Sequence, residues 1–321
     1  MSLGDGAGGF VAGREQDLYG EDVKAGAAGD FNGDGFTDLV VTSNDTGNGG
    51  IFLYSGDETG EFARPVTVAS LPSTSVAAGD FNRDGSLDLA SQHYSASDKS
   101  TAEVSIFLGY GNGVFSSTVS VLGASDFDRF GSVITGDFNA DGLLDIASQT
   151  EVEAGIKLSV ATGDGFGNFT AEPDVMLDGL TGASIESAAG GDFNGDGIGD
   201  LALRSTRISS EVQWDVDDWS FGFDFPEDDS LGDWSDLFSD AISVYIGDGA
   251  GGFTPYASID GDTGSSIGAS DFNLDGVLDL ISVDAFGRTI YLGDGIGGFE
   301  PQPSEFDGGG EHLDFYAQTT P

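Results

Sequence analysis

The chain has no cysteine, so it builds neither a disulfide framework nor a thiolate metal site, and an oxidising compartment is neither required nor excluded. It has only two histidines, His93 and His312, far apart and with no nucleophile pattern beside them. No Ser-His-Asp arrangement follows from them, and each is expected to be solvent-exposed or incidental. Basic residues are scarce: ten Lys and Arg stand against 56 Asp and Glu, and the lysines are Lys24, Lys99 and Lys157 alone. The formal net charge of −46 argues against nucleic acid and anionic membrane surfaces as partners. No apolar run reaches the ~18 residues of a membrane-spanning helix. The opening MSLGDGAGGF lacks the basic and apolar regions of a signal peptide, so the signal of an exported protein would lie outside this chain. No helical period persists anywhere.

What is abundant is glycine and aspartate. The 53 glycines point to many short strands joined by tight turns. With 38% hydrophobic residues the chain can bury a core despite its charge. Of the 56 acidic residues 42 are Asp. Asp is a turn former and a hard-cation ligand and is poor in helices, so the excess hints at cation binding. Adaptation to high salt is the competing explanation.

Two motifs alternate along the sequence. The first reads GDFNGDGFTDLVV at 29–41 and recurs as GDFNRDGSLDLA (79–90), GDFNADGLLDIA (136–147), GDFNGDGIGDLA (191–202) and SDFNLDGVLDLI (270–281). The second is Gly-x-x-x-Gly-x-Phe after a short apolar run, with six copies whose phenylalanines are Phe10, Phe62, Phe115, Phe169, Phe253 and Phe299. Between them lie β-rich segments such as VSIFLG, ISVYIG and TIYLG. Each unit therefore predicts four strands: one into the Asp loop, one out of it, one into the Gly turn, one out of that. A repeat of roughly 50 residues with four strands is a β-propeller blade. The expectation is an all-β protein, one β-propeller over 1–321, with repeats near 23–71, 74–122, 130–176, 183–258 and 264–304. Residues 1–19 read as part of another blade and 305–321 as its closing strand, which would make six blades; the alternative is a fragment of a longer array.

The Asp loop is Asp-x-Asn-x-Asp-Gly-x-x-Asp. A loop folded around an ion turns alternate side chains inward, so positions one, three and five converge, position seven offers a carbonyl and position nine closes the shell. Numerous flexible oxygen ligands suit Ca²⁺ over Mg²⁺ or transition metals. The ligands would be Asp30, Asn32, Asp34, Phe36 (carbonyl) and Asp38; Asp80, Asn82, Asp84, Ser86 and Asp88; Asp137, Asn139, Asp141, Leu143 and Asp145; Asp192, Asn194, Asp196, Ile198 and Asp200; and Asp271, Asn273, Asp275, Val277 and Asp279. That makes about five ions. The alternative is a set of Asx-turns needing no metal, but three carboxylates within nine residues repel one another without a cation. An EF-hand would need an acid at position twelve and a helix behind it; here that position is Val41, Ser91, Ser148, Leu203 and Ser282, and a strand follows.

These loops resemble the calcium loops of FG-GAP/VCBS repeats, as in integrin α-subunit propellers. The third unit carries the name-giving piece in RFGSVITGDFNADG, residues 129–142. The resemblance implies a propeller with Ca²⁺ held in the hairpin between the first two strands of each blade. It also implies relatives that are adhesion or ligand-binding proteins outside the cell, and others that are repeats appended to enzymes.

The Gly-x-Gly-x-x-Gly runs at 4–9, 247–252 and 293–298 are hairpin turns, since strand-like residues follow them where a dinucleotide site needs a helix. The phenylalanine after each is expected to plug the space between blades. The fourth unit departs from the others by about 29 extra residues near 208–238, which hold all three tryptophans, Trp214, Trp219 and Trp234. A long insertion on a rigid frame is where specificity usually resides, and exposed Trp can stack on a sugar or anchor a protein. Capping of the propeller by these aromatics is the alternative. The sequence is thus read as a calcium-stabilised propeller, not an enzyme, used at the cell surface or outside the cell to recognise a glycan or protein. The rival is a polysaccharide lyase or hydrolase with its site in the funnel or under the insertion, and a third reading is a structural spacer of a larger surface protein.

Overall fold

The computed structural model describes residues 2–4, 10–12, 23–45, 47–94, 101–116, 119–126, 131–152, 154–208, 238–262, 264–283 and 287–302. Among these every regular element is a strand. Strands β1 (Ser2–Gly4) and β2 (Phe10–Ala12) pair as a two-stranded sheet. Blade one is β3 (Val23–Gly29), β4 (Asp38–Ser43), β5 (Gly50–Tyr54) and β6 (Val66–Ala69). Blade two is β7 (Ser73–Gly79), β8 (Asp88–Tyr94), β9 (Thr101–Phe107) and β10 (Val119–Asp126). Blade three is β11 (Val133–Gly136), β12 (Asp145–Val152), β13 (Gly155–Gly163) and an outer strand in two pieces, β14 (Phe169–Ala171) and β15 (Val175–Leu177). Both pieces pair with β13; Pro173 lies between them, where its missing N–H breaks the ladder. Blade four is β16 (Ala183–Gly191), β17 (Asp200–Ile208), β18 (Phe238–Gly247) and β19 (Phe253–Asp260). Blade five is β20 (Ser266–Ser270), β21 (Asp279–Val283), β22 (Arg288–Gly293) and β23 (Phe299–Pro301).

Within each blade successive strands pair antiparallel in chain order. The first strands β3, β7, β11, β16 and β20 pack side by side from blade to blade. Their composition answers the crowding at the axis: VKAGAAG, STSVAAG and SIGAS are rich in Ala, Gly and Ser. The all-β propeller and its five complete four-stranded units stand as the repeats predict. The sixth blade is not shown: the closing strand in 305–321 lies outside the described residues.

The core is a series of layers, one per blade interface. Val40 and Leu53 of blade one meet Leu89 and Phe107 of blade two. Ala90 and Ile106 meet Val133 and Ile146, Ala147 and Leu158 meet Leu201 and Leu203, and Ala202 and Val244 meet Ile267 and Leu280. Where both faces of a blade are covered, the second strand is buried along most of its length, wholly in β4 and over its first six residues in β12.

Candidate metal centre

Each Asp loop joins the first two strands of its blade. Its backbone is left-handed at two places. Position six is glycine in every loop, with φ between 80° and 88° (Gly35, Gly85, Gly142, Gly197, Gly276). A Cβ added at any of the five meets nothing within 4 Å, so the glycine is there for its conformation and not for space. Position four is also left-handed, as Gly33 and Gly195 but also as Arg83 (φ 58°), Ala140 (φ 61°) and Leu274 (φ 61°).

That backbone turns the loop amides inward onto the acidic side chains. In loop two, Asp80 accepts the Asp84 amide at Oδ1 (3.1 Å) and the Gly85 amide at Oδ2 (2.9 Å). Asn82 Oδ1 accepts the Asp84 amide (2.9 Å), and Asp84 Oδ1 accepts the Ser86 amide (2.8 Å). The same set recurs around Asp30, Asn32 and Asp34, Asp137, Asn139 and Asp141, Asp192, Asn194 and Asp196, and Asp271, Asn273 and Asp275. Position seven, Phe36, Ser86, Leu143, Ile198 and Val277, is the residue whose amide ends each set. The Asn amide donates to the position-five carboxylate in loops two to five; in loop one Asn32 donates to Asp38 instead.

Position nine behaves differently. Asp38, Asp88, Asp145, Asp200 and Asp279 are fully buried. Each accepts the position-two amide at Oδ2 and the first amide of the Gly turn at Oδ1. For Asp88 these are Phe81 (2.9 Å) and Gly109 (2.7 Å); for Asp145, Phe138 and Gly163 (2.8 Å each); for Asp200, Phe193 and Gly247 (2.9 Å each). Asp38 and Asp279 repeat the pattern. Burial pushes the carboxyls of Asp88, Asp145 and Asp200 up to about 6. The two amides oppose that rise, and the charges at positions five and one add to it. Asp38 and Asp279 are raised for the same leading reason. The spacing alone made position nine one more ion ligand; the structure makes it the strut between the two hairpins of its blade.

The loops are also tied to the next blade. Gly113, Gly167 and Gly297 of the following Gly turns donate to the carbonyls of Phe31, Phe81 and Phe193. The position-two phenylalanine meets the Gly-turn phenylalanine of the next blade, with ring centroids 6.1 Å apart for Phe31 and Phe115, 5.7 Å for Phe81 and Phe169, 5.7 Å for Phe138 and Phe253, and 5.5 Å for Phe193 and Phe299. The expected plug between blades is this pair. Asp57, Asp164, Asp248 and Asp294 staple the Gly turns by accepting their own turn amides, so part of the Asp excess is turn chemistry.

The donor set fits a hard cation. Each loop gathers three carboxylates and an amide oxygen, and the position-five carboxylate adds to the rise of the position-nine carboxyl in every loop; in loop three the Arg83 guanidinium donates to the Gly142 carbonyl. Among the described residues, no three His, Cys, Asp or Glu side chains stand close enough to enclose an ion by themselves; the carboxylates are turned onto loop amides. A carboxylate oxygen that accepts one amide keeps a second lone pair.

Other predicted positions are resolved unevenly. His93 is buried, with Nε2 2.8 Å from Ser105 Oγ, so the expectation of an exposed histidine is corrected: its strand is covered on both faces. His312 lies outside the described residues, and so do Trp214, Trp219 and Trp234. The strands that carry the insertion are described. β17 runs from the Asp loop to Ile208 and β18 returns from Phe238 to the Gly turn, so residues 209–237 join blade four at the end opposite the Asp loops. At that root Arg204 Nη2 lies 3.4 Å from Asp240 Oδ1, which also accepts the Thr206 hydroxyl (2.7 Å).

Comparison with known proteins agrees with the repeat. Residues 30–91 match the family model of the FG-GAP-like repeat, which supports assignment to the FG-GAP repeat family. Mouse integrin alpha-7 is 27% identical over 84 residues, and human integrin alpha-7 is 29% identical over 84 residues. Each match covers 26% of this chain and 7% of the integrin, so the chain spans a small part of the curated relatives it matches. Among solved structures, the rhamnogalacturonan lyase YesW is matched with a TM-score of 0.43 and 13% identity, over 87% of this chain and 50% of that one. The sequence expectation of a protein that is not an enzyme is corrected: enzyme status is not established.

Proposed function

We propose that the chain is a calcium-binding propeller that recognises a glycan or protein ligand outside the cell. The observation that carries the metal part is one loop written five times with the same three carboxylates and amide oxygen, and with the position-six amide on the position-one carboxylate each time. Ca²⁺ would be held by the oxygens of positions one, three and five and the position-seven carbonyl. The buried position-nine carboxylate closes the shell while it struts the blade. The ion supplies positive charge that neutralises each three-Asp cluster. Affinities of extracellular modules of this kind are about 10⁻⁴–10⁻³ M, so the loops would be filled outside a cell. The similarity to integrin alpha-7 over 84 residues supports the extracellular setting and a recognition role. A sixth blade, built from 1–19 and 305–321, would cover the sheet faces that blades one and five turn away from their described neighbours.

The ligand surface is assigned to the end opposite the Asp loops, where the insertion joins blade four between Ile208 and Phe238. Three tryptophans in one segment supply broad, sequence-independent stacking surface for sugar rings or a protein anchor. The test is an array of glycans and extracellular-matrix proteins probed with and without Ca²⁺, using wild type and the Trp214→Ala, Trp219→Ala, Trp234→Ala triple variant. The triple variant should lose binding with an unchanged Tm. Undiminished binding by that variant would remove the insertion from the ligand site.

A further inference from the structure

The second strand of each blade carries one position, four residues beyond the strut aspartate, that is polar wherever another described blade follows. It is Thr42, Gln92, Gln149 and Arg204 in blades one to four, and Val283 in blade five. Two residues nearer the loop on the same strand, and so on the same face, Ala90, Ala147 and Ala202 pack against the following blade. Gln92, Gln149 and Arg204 therefore point into the interfaces between blades two and three, three and four, and four and five.

All three are buried, with Gln149 only 1% exposed. Thr42 is short and reaches the Ala25 carbonyl of its own blade. The longer side chains leave atoms over: among the described residues, Gln92 Oε1, both Oε1 and Nε2 of Gln149, and Arg204 Nε have no hydrogen-bond partner. The rest of the Arg204 guanidinium is engaged by Thr206 and Asp240. An amide buried without a partner is strongly unfavourable, and it recurs at one repeat position in successive interfaces. The gap between blades two and three is polar as well, with Ser75 buried there and Ser148 buried on the strand face it shares with Ile146. Ser75 Oγ already accepts the Val133 amide across the gap between blades two and three, at 2.9 Å.

We infer that these three interfaces enclose ordered water, held by Gln92 Oε1 in the first, by both amide atoms of Gln149 in the second and by Arg204 Nε in the third. A water of this kind makes about three hydrogen bonds to polar groups that lack other partners. Each of these three interfaces then has two layers, an apolar one with the phenylalanine pair near the Asp loops and a wet one farther from them. The inference is independent of any cation in the loops.

A high-resolution crystal structure of the whole chain tests it. An ordered water within about 3.2 Å of Gln149 Oε1 and Nε2, with counterparts at Gln92 and Arg204, is the expected result. Direct pairing of these atoms with protein groups, or dry interfaces, overturns it. Stability gives a second reading. If water satisfies the amide, Gln149→Leu and Gln149→Met both strand the water's other partners and lower Tm. If the amide is dry and unpaired, both variants remove a penalty, and a raised Tm in both contradicts the inference.

Discussion

The carboxylate of Asp145 and the amide of Gly163 stand 2.8 Å apart, although 18 residues separate them. This bond joins the Asp loop of blade three to its Gly turn, and its equivalent is present in all five blades. The two motifs that alternate along the sequence are thus one unit in space, with the ninth loop position as the link.

Asp145→Asn tests the strut. The variant keeps one acceptor oxygen and sets an NH₂ group against the second amide. A buried donor left unsatisfied costs about 1–3 kcal/mol, and urea unfolding should show a loss in that range with chelator present as well as with Ca²⁺. A loss seen only with Ca²⁺ would make the residue an ion ligand without the strut role.

The left-handed positions give a pair of opposite predictions in one loop. Gly276 has φ 88° and room for a Cβ, so Gly276→Ala should cost about 1–2 kcal/mol of backbone strain alone. Leu274 has φ 61° and is 73% exposed. Leu274→Asn places a residue that tolerates this conformation and should stabilise by up to ~1 kcal/mol. Equal signs in thermal unfolding would contradict the assignment of strain.

The aromatic pairs between blades should be energetically coupled. Phe81 is buried and meets Phe169 of the next blade edge to face. Phe81→Ala should cost about 3–5 kcal/mol. A double-mutant cycle with Phe169→Ala should return a coupling of about 0.5–1.5 kcal/mol. A coupling near zero would mean the rings only fill space.

Much of this was legible in the sequence because the repeat supplies its own controls. Five copies of Asp-x-Asn-x-Asp-Gly-x-x-Asp exposed the loops, and the Phe after each Gly turn exposed the plug. The strut was not legible: a carboxylate facing a cation and one facing two amides have the same spacing. Position four hid its conformation behind Arg83, Ala140 and Leu274, with Gly33 and Gly195 as the only hint. His93 read as exposed or incidental because no nucleophile pattern stands beside it, and nothing in the spacing marked Gln92 or Gln149 as buried. Only packing blade against blade buries both faces. The root of the tryptophan insertion, between Ile208 and Phe238, is at the end of blade four away from the Asp loops, which the repeat spacing alone did not place.

The measurement that bears most directly on the account is thermal unfolding at low ionic strength in excess chelator and in millimolar Ca²⁺. Ligand that binds only the folded state stabilises by mass action, about 2.7 kcal/mol per site at a hundredfold excess over Kd. With five loops, Tm should rise by many degrees with Ca²⁺ and fall again on chelation. A Tm that chelator leaves unchanged would contradict the account and reduce the loops to Asx-turns that need no metal.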